Sequence, residues 1–287
     1  MNIVFAASDL FIKPSEVMVD SFLKNNPGKH DFYYMYNKTS VENRKKLSDF
    51  VMSRGAGYHE IFMDEARFAG LPHYKRFGYE LYFRLLIPFI IPQADRILAL
   101  DSDIVVNASL EDLYNIDFGN NYLAAVSSPN ETAYKKINNT SQYVGGGVVL
   151  YNVKKIREDF KENDLLQFFL KNWEKYPYLD QDLINVFYDK RICVVPAKYN
   201  LIVFRNEKLS KGRLKEIEQE ACVIHFPGKI KPWNFYYGNK IAMLYWKYAR
   251  SVLGNTEYVK FRVLFVVAQP LKPIITYLRK RRKGNFT

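Results

Sequence analysis

The chain has 287 residues, of which 48% are hydrophobic and 16% aromatic, and it carries a formal net charge of +12. This apolar content excludes disorder for most of the chain and suffices for the core of one large α/β domain, alone or with an appendage. The two cysteines, Cys193 and Cys222, lie in apolar segments and belong to no CxxC or Cys/His group, so we expect reduced core residues and no zinc site.

The N-terminal segment predicts a protein that stays in the cytoplasm. It has no basic n-region and runs directly into a strand-like pattern, unlike a secretory signal peptide. The longest apolar runs, such as 263–268, are far too short to cross a membrane. Cysteines in the reduced form agree with this compartment.

Strand-like and helix-like segments alternate in the first part of the chain. The expected strands cover 2–7, 30–36 and 58–63, and the expected helices cover 14–25 and 39–54. The second helix would begin at a capping box formed by Thr39 and Glu42. Because strands that alternate with helices form βαβ units, the pattern predicts an α/β fold with a mostly parallel central sheet.

An apolar run over 95–106 is broken by two carboxylates, Asp101 and Asp103. We predict a single buried strand here, whose carboxyl end is the usual place for a ligand in an open α/β sheet. Side chains two apart point the same way, so the two carboxylates would repel each other unless a cation lay between them, and a divalent metal is the simplest candidate. Asp-Ser-Asp is also a common turn composition, so a surface turn is an alternative at this point.

Three segments are candidates for the walls of such a site. Residues 79–90 predict a helix that is apolar nearly all round, which places Arg84 in a mostly buried setting where it needs an anion. Residues 64–77 show no clear period and predict a loop. The polar segment 130–142 predicts a mobile loop able to close over a substrate.

Three glycines, Gly145 to Gly147, open an apolar strand expected over 143–152. Glycine at such positions is typical of a close approach of the backbone to a ligand or to another strand, although neither the Walker nor the Rossmann spacing is present. A purely structural β-bulge explains the glycines equally well.

Two further polar segments follow in the second half of the chain. The string DQD at 180–182 opens a predicted helix, and acids in a first turn are typical of capping and of a favourable interaction with the helix dipole. A strand-like segment at 221–224 leads into the string HFPGKIKPW at 225–233, a loop punctuated by glycine and proline that holds one of the four histidines.

In this order and spacing, the DSD string at 101–103, the glycine strand, the DQD string and the HxxGxxKPW string at 225–233 resemble the family 8 glycosyltransferases. These are retaining enzymes of the GT-A fold, among them bacterial lipopolysaccharide galactosyl- and glucosyltransferases. The resemblance runs from about residue 2 to residue 233 and implies a single GT-A domain with a Rossmann-like, mostly parallel sheet, which we place at 1–253. It further implies a metal-dependent hexosyltransferase with a UDP-sugar donor.

The resemblance also implies a role for each matching residue. The residues implied in binding the metal, Mn²⁺ or alternatively Mg²⁺, are Asp101, Asp103 and His225. Those implied in donor binding are Ala6, Ser8, Arg84, Asp101, Ser102, Asp103, Gly145, Gly146, Gly228 and Lys231. Those implied in catalysis, beside the transferred sugar, are Asp180 and Gln181. The chemistry agrees, since carboxylate and phosphate oxygens suit a hard divalent ion and one imidazole favours Mn²⁺ over Mg²⁺.

Departures from the family pattern leave the donor sugar open. Ser8 stands where relatives commonly carry an acidic residue near uracil, Leu10 replaces a polar residue near the ribose, and Asp9 is a candidate replacement. Ser128 and Gly145 stand where an aspartate and an asparagine often contact the sugar. UDP-galactose or UDP-glucose is the expected donor, and a UDP-N-acetylhexosamine is the alternative, because Gly145 would leave room for a bulkier sugar.

The last part of the chain, 254–287, is a basic and aromatic tail. From Arg250 to the end there are nine Lys/Arg and one acid, a net charge of +8, which leaves +4 of the +12 for the rest. Apolar stretches broken by prolines precede a cationic cluster at 279–283. The tail therefore predicts a peripheral anchor on the anionic inner face of the plasma membrane, where a glycan or lipid-linked acceptor would meet the active site. A disordered solubilising end is the alternative.

The basic balance also raises the possibility of a nucleic-acid-binding protein. The charge is concentrated at the end of the chain, however, and no RNP, KH or helix-turn-helix signature occurs in the body, so we expect no nucleic-acid partner. Among enzymes, a nucleotidyltransferase also uses acidic metal ligands on an α/β sheet, but it would release pyrophosphate instead of UDP.

Overall fold

A computed structural model describes residues 1–73, 78–129, 134–135, 139–178, 180–205, 207, 210–237 and 239–267. The β-strands, in chain order, are β1 (Asn2–Ala6), β2 (Asp31–Tyr36), β3 (Gly57–Phe62), β4 (Arg96–Leu100), β5 (Ile104–Val106), β6 (Leu123–Ser127), β7 (Val144–Asn152), β8 (Ile192–Val195), β9 (Leu201–Ile202) and β10 (Val223–His225). The α-helices are α1 (Ile12–Asn25), α2 (Val41–Ser53), α3 (Ile87–Ile90), α4 (Glu111–Tyr114), α5 (Val153–Asp159), α6 (Glu162–Asn172), α7 (Asp180–Phe187), α8 (Lys211–Glu220) and α9 (Ala242–Leu253). Residues 255–267 are also helical.

Seven strands form the central sheet, in the order β3-β2-β1-β4-β7-β6-β8. All neighbours pair in parallel except β7, which is antiparallel to both β4 and β6. The prediction of an α/β fold with a mostly parallel sheet is therefore confirmed. Parallel pairing needs crossover connections, and the helices between the strands supply them.

Both faces of the central sheet are buried. In β1, Ile3 and Phe5 belong to one apolar cluster while Val4 belongs to another, and none of the three is more than 2% exposed. Alternate side chains of a strand point to opposite faces, so a strand that is apolar at every position must be covered on both sides. This explains the continuous apolar runs in the sequence.

The run over 95–106 does not form the single strand that we predicted. It divides into β4, in the central sheet, and β5, which pairs with β10 in a separate sheet of three strands, ordered β5-β10-β9. Asp101 N–H still donates to the Gly147 carbonyl at 2.9 Å, whereas the Asp103 carbonyl accepts the N–H of Phe226 at 3.0 Å. The Asp-Ser-Asp string is thus the corner at which the chain leaves one sheet and joins the next.

Helix α2 begins one residue later than the predicted capping box. Its N-cap is Ser40, whose hydroxyl accepts the N–H of Asn43. The Thr39 hydroxyl instead lies 2.7 Å from the hydroxyl of Tyr34, a side chain with no exposure. Both hydroxyls also donate to the Ala7 carbonyl, at 2.6 Å from Tyr34 and 3.2 Å from Thr39, so Thr39 takes part in a buried hydrogen-bond network instead of capping the helix.

Residues 79–90 are helical, as predicted, but most of the segment, Glu80–Leu86, is a 3-10 helix that continues into α3. The segment packs against α7, the helix that opens with the DQD string. Several of its side chains belong to the cluster on one face of the sheet. The predicted loop 64–77 contains a short 3-10 helix, Glu65–Phe68, and its last four residues lie outside the described ranges. Part of the predicted mobile loop 130–142 also lies outside them.

The first part of the basic tail packs on the domain. Phe261 and Phe265 are 4% and 8% exposed, and the Phe261 ring stacks on Trp246 with the ring centroids 4.6 Å apart. The opposite side of the same helix is apolar and exposed, with its large side chains at Val259, Val263, Leu264, Val266 and Val267. The cationic cluster at 279–283 lies outside the described residues. Within the part of the chain that the structure describes, no helix has both the length and the apolar character needed to span a bilayer.

Candidate active site

A cluster of two carboxylates and one imidazole lies at the corner between the two sheets. One ligand atom each from Asp101, Asp103 and His225 can be chosen so that all lie within 4.8 Å of one another. The His225 Nε2 atom is 3.3 Å from a carboxylate oxygen of Asp103 and 3.8 Å from one of Asp101. Strand β4 ends just before Asp101, and β10 ends at His225, so pairing between β5 and β10 brings the three together.

Asn200 orients the imidazole of this cluster. Its Oδ1 atom lies 3.0 Å from His225 Nδ1, and since an amide oxygen only accepts, Nδ1 donates this bond and Nε2 is the ring atom that faces the two carboxylates. Asn200 is 4% exposed and precedes β9, the strand beside β10. No motif in the sequence pointed to Asn200, which lies at the end of the short 3-10 helix Ala197–Asn200 and carries no local signal of its role.

The charges around the cluster favour an ionised carboxylate. Burial raises the pKa of the Asp103 carboxyl, but the His225 ring and the Lys231 ammonium outweigh it, so the net pKa lies below the usual value. Burial lowers the pKa of His225, but the raising effect of Asp103 and Asp101 is larger, so the net pKa lies above its ordinary value. Lys231 Nζ contacts the Asp103 carboxylate and donates to the Phe226 carbonyl at 3.1 Å.

Arg84 links the cluster to the start of α7. Its guanidinium pairs with Asp180 at 2.9 Å and with Asp101 at 3.1 Å, and it donates to the Gly146 carbonyl at 2.8 Å. The side chain is 23% exposed, so the prediction of a mostly buried arginine with an anionic partner is confirmed. Burial raises the pKa of the Asp180 carboxyl, Arg84 opposes the rise and Asp101 adds to it, so that the net pKa is about 6.

The glycine strand allows these side chains to approach the backbone. A Cβ atom at Gly146 would lie 2.2 Å from the Arg84 guanidinium, and one at Gly147 would lie 2.4 Å from the His225 ring. At Gly145 the nearest atom would be 3.5 Å away, on Asn200, which is ordinary contact. The pairing of β6 with β7 is also irregular opposite this segment. The close approach and the bulge, which the sequence could not separate, therefore occur together.

The DQD string opens α7 and contributes side chains to two different environments. Gln181 Nε2 donates to the Tyr143 hydroxyl at 3.2 Å, and its Oε1 accepts the Gly146 N–H at 3.3 Å. Asp182 is fully buried and accepts bonds from the Tyr143 hydroxyl and, at 2.6 Å, from the Tyr178 N–H. Capping alone, the interpretation that composition favoured, therefore does not describe these acids.

Ser102 and Ala6 lie together behind the cluster. The Ser102 hydroxyl donates to the Ala6 carbonyl at 3.2 Å and accepts from the hydroxyl of Ser15 at 2.9 Å. Ser102 thus ties the corner of the chain to the end of β1 and to α1.

The segment after β1 bears on the predicted nucleoside site. Ser8 is half-buried, with its carbonyl accepting the Phe11 N–H at 2.8 Å, and Leu10 is 85% exposed. The Asp9 carboxylate accepts bonds from Ser40 and Asn43 at the start of α2, so it is engaged in capping and is a poor substitute for a base-recognising acid.

Two further predicted positions have backbone features. Gly228 has φ +94°, a left-handed conformation that favours glycine, and a Cβ there would have no atom within 4 Å among the described residues other than its chain neighbours. Ser128 is buried, and its N–H donates to the Tyr143 carbonyl at 3.0 Å. Gly228 therefore presents open backbone, whereas Ser128 serves the start of the glycine strand.

The donor set suits a divalent cation. Two carboxylates and one neutral imidazole provide hard oxygen ligands and one nitrogen, and atoms so close together can share one ion. The centre lies beyond the carboxyl end of β4, which is where open α/β sheets bind their ligands.

The chain belongs to the family 8 glycosyltransferases. The family model described as Glycosyl transferase family 8 matches residues 2–236, which is most of the chain. Lipopolysaccharide 1,3-galactosyltransferase of Salmonella typhimurium is 25% identical over 252 residues, which cover 81% of this chain and 73% of that protein. Lipopolysaccharide 1,2-glucosyltransferase of Escherichia coli is 24% identical over an alignment of 306 positions, which covers 97% of this chain and 89% of that protein.

The solved structures agree on the fold. The galactosyltransferase LgtC, crystallised with donor and acceptor sugar analogues, aligns with a TM-score of 0.74 at 24% identity, over 88% of this chain and 96% of that one. The expected GT-A architecture is therefore confirmed. The family assignment makes this protein a glycosyltransferase, and it sets aside the nucleic-acid-binding and nucleotidyltransferase alternatives.

Proposed function

We propose that the protein transfers a hexose from a UDP-sugar to a saccharide or lipid-linked acceptor, with retention of configuration, during synthesis of a cell-surface polysaccharide. The observation that carries this proposal is the cluster of Asp101, Asp103 and His225 beside Arg84 and Lys231. Such a group of ligands and cations suits a metal-bound diphosphate. The names of the Salmonella galactosyltransferase and the Escherichia coli glucosyltransferase support UDP-galactose or UDP-glucose as donor and lipopolysaccharide as product.

In this proposal Asp101, Asp103 and His225 hold Mn²⁺ or Mg²⁺. When bound, the ion would supply a Lewis acid that offsets the charge developing on the UDP leaving group. Lys231, which contacts Asp103, would supply a point charge to the same phosphates, and the open backbone at Gly228 would allow the diphosphate to approach closely. Ala6 and Ser8, at the end of β1, would border the nucleoside, and Ser102 would hold that strand end in place.

Gln181 acts on the transferred sugar in this proposal, with Asp180 beside it. A neutral amide is a poor nucleophile, and both oxygens of the buried Asp182 already accept hydrogen bonds. We therefore favour attack of the acceptor on the same face that UDP leaves, through an oxocarbenium-like ion pair. Gln181 would stabilise the positive charge, and the leaving phosphate would take the proton of the acceptor.

The transferred sugar is the part of the proposal with an alternative. Since a Cβ atom at Gly145 would make only ordinary contact, packing of the protein does not demand glycine there. The missing side chain supports the alternative of a UDP-N-acetylhexosamine donor, which needs more room. A panel of nucleotide sugars separates the two.

We also propose that the exposed apolar side of helix 255–267 and the basic residues after it attach the enzyme to the inner face of the plasma membrane. Five large apolar side chains on that side are about half exposed or more. Because Phe261 and Phe265 pack on the domain, we place the functional division of the chain after residue 267 rather than after 253. The catalytic domain and its anchor would then share one helix.

The experiment is hydrolysis of UDP-galactose, UDP-glucose and their N-acetylated analogues, with Mn²⁺, Mg²⁺ or a chelator. We expect metal-dependent release of UDP from one of these donors, and Gln181→Ala should lower kcat with little change in KM, as for an interaction made mainly in the transition state. Release of pyrophosphate, or turnover that a chelator leaves unchanged, would contradict the proposal. A loss confined to KM would contradict the role of Gln181.

A further inference from the structure

A chain of hydrogen bonds behind the glycine strand ends on the Gln181 side chain. Gln181 Nε2 is 3.2 Å from the hydroxyl of Tyr143, which also contacts the Asp182 carboxylate. The second oxygen of Asp182 accepts the backbone N–H of Tyr178 at 2.6 Å. Tyr143 and Asp182 have no exposed surface, so no water competes for these bonds.

The donor and acceptor groups in this series of hydrogen bonds set the direction of each bond. The Tyr143 hydroxyl has a single proton, and it donates this proton to the Asp182 carboxyl group. The Tyr143 hydroxyl oxygen then has only lone pairs to offer Gln181, so it must face the NH₂ end of the Gln181 amide. The opposite orientation would place the amide oxygen against the lone pairs of the Tyr143 oxygen, so that two acceptors meet. It would also place the NH₂ group against the Gly146 N–H, so that two donors meet.

We propose that Tyr143 and Asp182 are positioning residues that select which end of the Gln181 amide faces the transferred sugar. The proposal rests on the role of Gln181 proposed above. With Nε2 held by Tyr143, Oε1 lies 3.3 Å from the Gly146 N–H, beside the backbone that Arg84 also contacts. The negative end of the amide dipole therefore lies at the glycine strand beside Arg84, which is where the proposed function places the transferred sugar and its developing positive charge. A reversed amide would present an N–H of the wrong sign.

Anchoring of α7 does not depend on the Tyr143 hydroxyl. Asn185, in the same helix, accepts the Val144 N–H at 2.7 Å and donates to the Val144 carbonyl at 2.9 Å. The Tyr143 ring also keeps its contact with the Tyr134 ring, with centroids 4.8 Å apart, when the hydroxyl is removed. Tyr143→Phe therefore removes the orienting bond while the helix and the ring packing stay in place.

The test is a double-mutant cycle of Tyr143→Phe and Gln181→Ala. The substrate is whichever of UDP-galactose or UDP-glucose the full-length protein hydrolyses faster with Mn²⁺. Tyr143→Phe should lower kcat about tenfold, the equivalent of one hydrogen bond, with KM within about twofold. In the Gln181→Ala background the same substitution should lower kcat no further. The matched control is Tyr114→Phe, which removes a hydroxyl that bonds Asn2 and Arg96 at the other end of the sheet.

An equal loss of kcat from Tyr143→Phe in both backgrounds would show a purely structural role and overturn the proposal. A second readout does not depend on turnover. The chain has six glutamines, so the side-chain NH₂ signals of ¹⁵N-glutamine-labelled protein can be assigned with Gln181→Ala. Tyr143→Phe and Asp182→Asn should each shift the Gln181 signal and speed its exchange with water, and an unchanged signal would refute the positioning role. If the signal responds but Gln181→Ala leaves kcat intact, positioning stands and the proposed role of Gln181 fails.

Discussion

Asp103→Asn and Asp101→Asn should have similar effects on metal binding and different effects on stability. The Asp103 side chain is 12% exposed and contacts Lys231, which is 9% exposed, so this ion pair is buried. Asp101 is 33% exposed, and its partner Arg84 keeps a second carboxylate, Asp180, at 2.9 Å when Asp101 is neutralised. Both substitutions therefore remove one ligand charge from the site, but Asp103→Asn takes away the carboxylate partner of the buried Lys231, whereas Asp101→Asn leaves Arg84 paired with Asp180.

The magnitudes follow from that difference. Removing one partner of a buried ion pair costs about 3–5 kcal/mol, and since asparagine retains an acceptor, we expect about 3 kcal/mol for Asp103→Asn. For Asp101→Asn we expect about 1 kcal/mol, as for a partly exposed pair. Mutation of a residue that only hydrogen-bonds to a metal ligand typically costs about 10–100-fold in metal affinity. Loss of a charge from a ligand itself should therefore weaken Mn²⁺ binding by at least about 100-fold in both variants.

Urea denaturation of the metal-free protein gives the stabilities, and titration calorimetry with Mn²⁺ and UDP gives the affinities. Equal losses of stability in the two variants would refute the account of the Lys231 pair. Undiminished Mn²⁺ affinity in Asp103→Asn would refute the metal site itself. The circular dichroism of both variants in water should match that of the wild type, since neither change breaks a strand.

Three further results are expected. The pKa of His225 is raised in the metal-free protein, so its protonated form adds stability below pH 6.5, and this stability is lost as the pH rises through the folded-state pKa. Metal binding needs the neutral ring, so the Mn²⁺ affinity should fall as the pH falls through the same pKa. Calorimetry should show that His225→Gln abolishes this pH dependence. Gly146→Ala should abolish hydrolysis, because its Cβ would lie 2.2 Å from the guanidinium, whereas Gly145→Ala should retain hydrolysis and a normal melting temperature; similar activities in the two would contradict the packing argument. Removal of residues 268–287 should reduce pelleting with anionic vesicles at low salt and leave the melting temperature unchanged. Removal of residues 258–287 should also destabilise the domain by about 3–5 kcal/mol, because two buried phenylalanines are lost. Full-length protein that stays in the supernatant beside such vesicles would refute the anchor.

The sequence alone was enough to predict most elements and their pairing type. Apolar runs such as 2–7 and glycines or prolines between segments report local periodicity and turn chemistry, which depend on neighbours a few residues away. The strings at 101–103, 180–182 and 225–233 identified the family, because the assignment needs only residue types in order. Boundaries were less secure, as the N-cap at Ser40 shows, since the Thr39 hydroxyl donates to the Ala7 carbonyl, which is distant in the chain.

The tertiary structure alone decided how the site is assembled. The corner at Asp101 and Asp103 exists because β5 leaves the central sheet to pair with β10, more than a hundred residues away in the chain. Arg84 joins two carboxylates from separate segments, and Asn200 orients His225 from the residue just before a neighbouring strand. Bonds of this kind depend on strand order and on the distances between elements, and local patterns of one sequence contain neither.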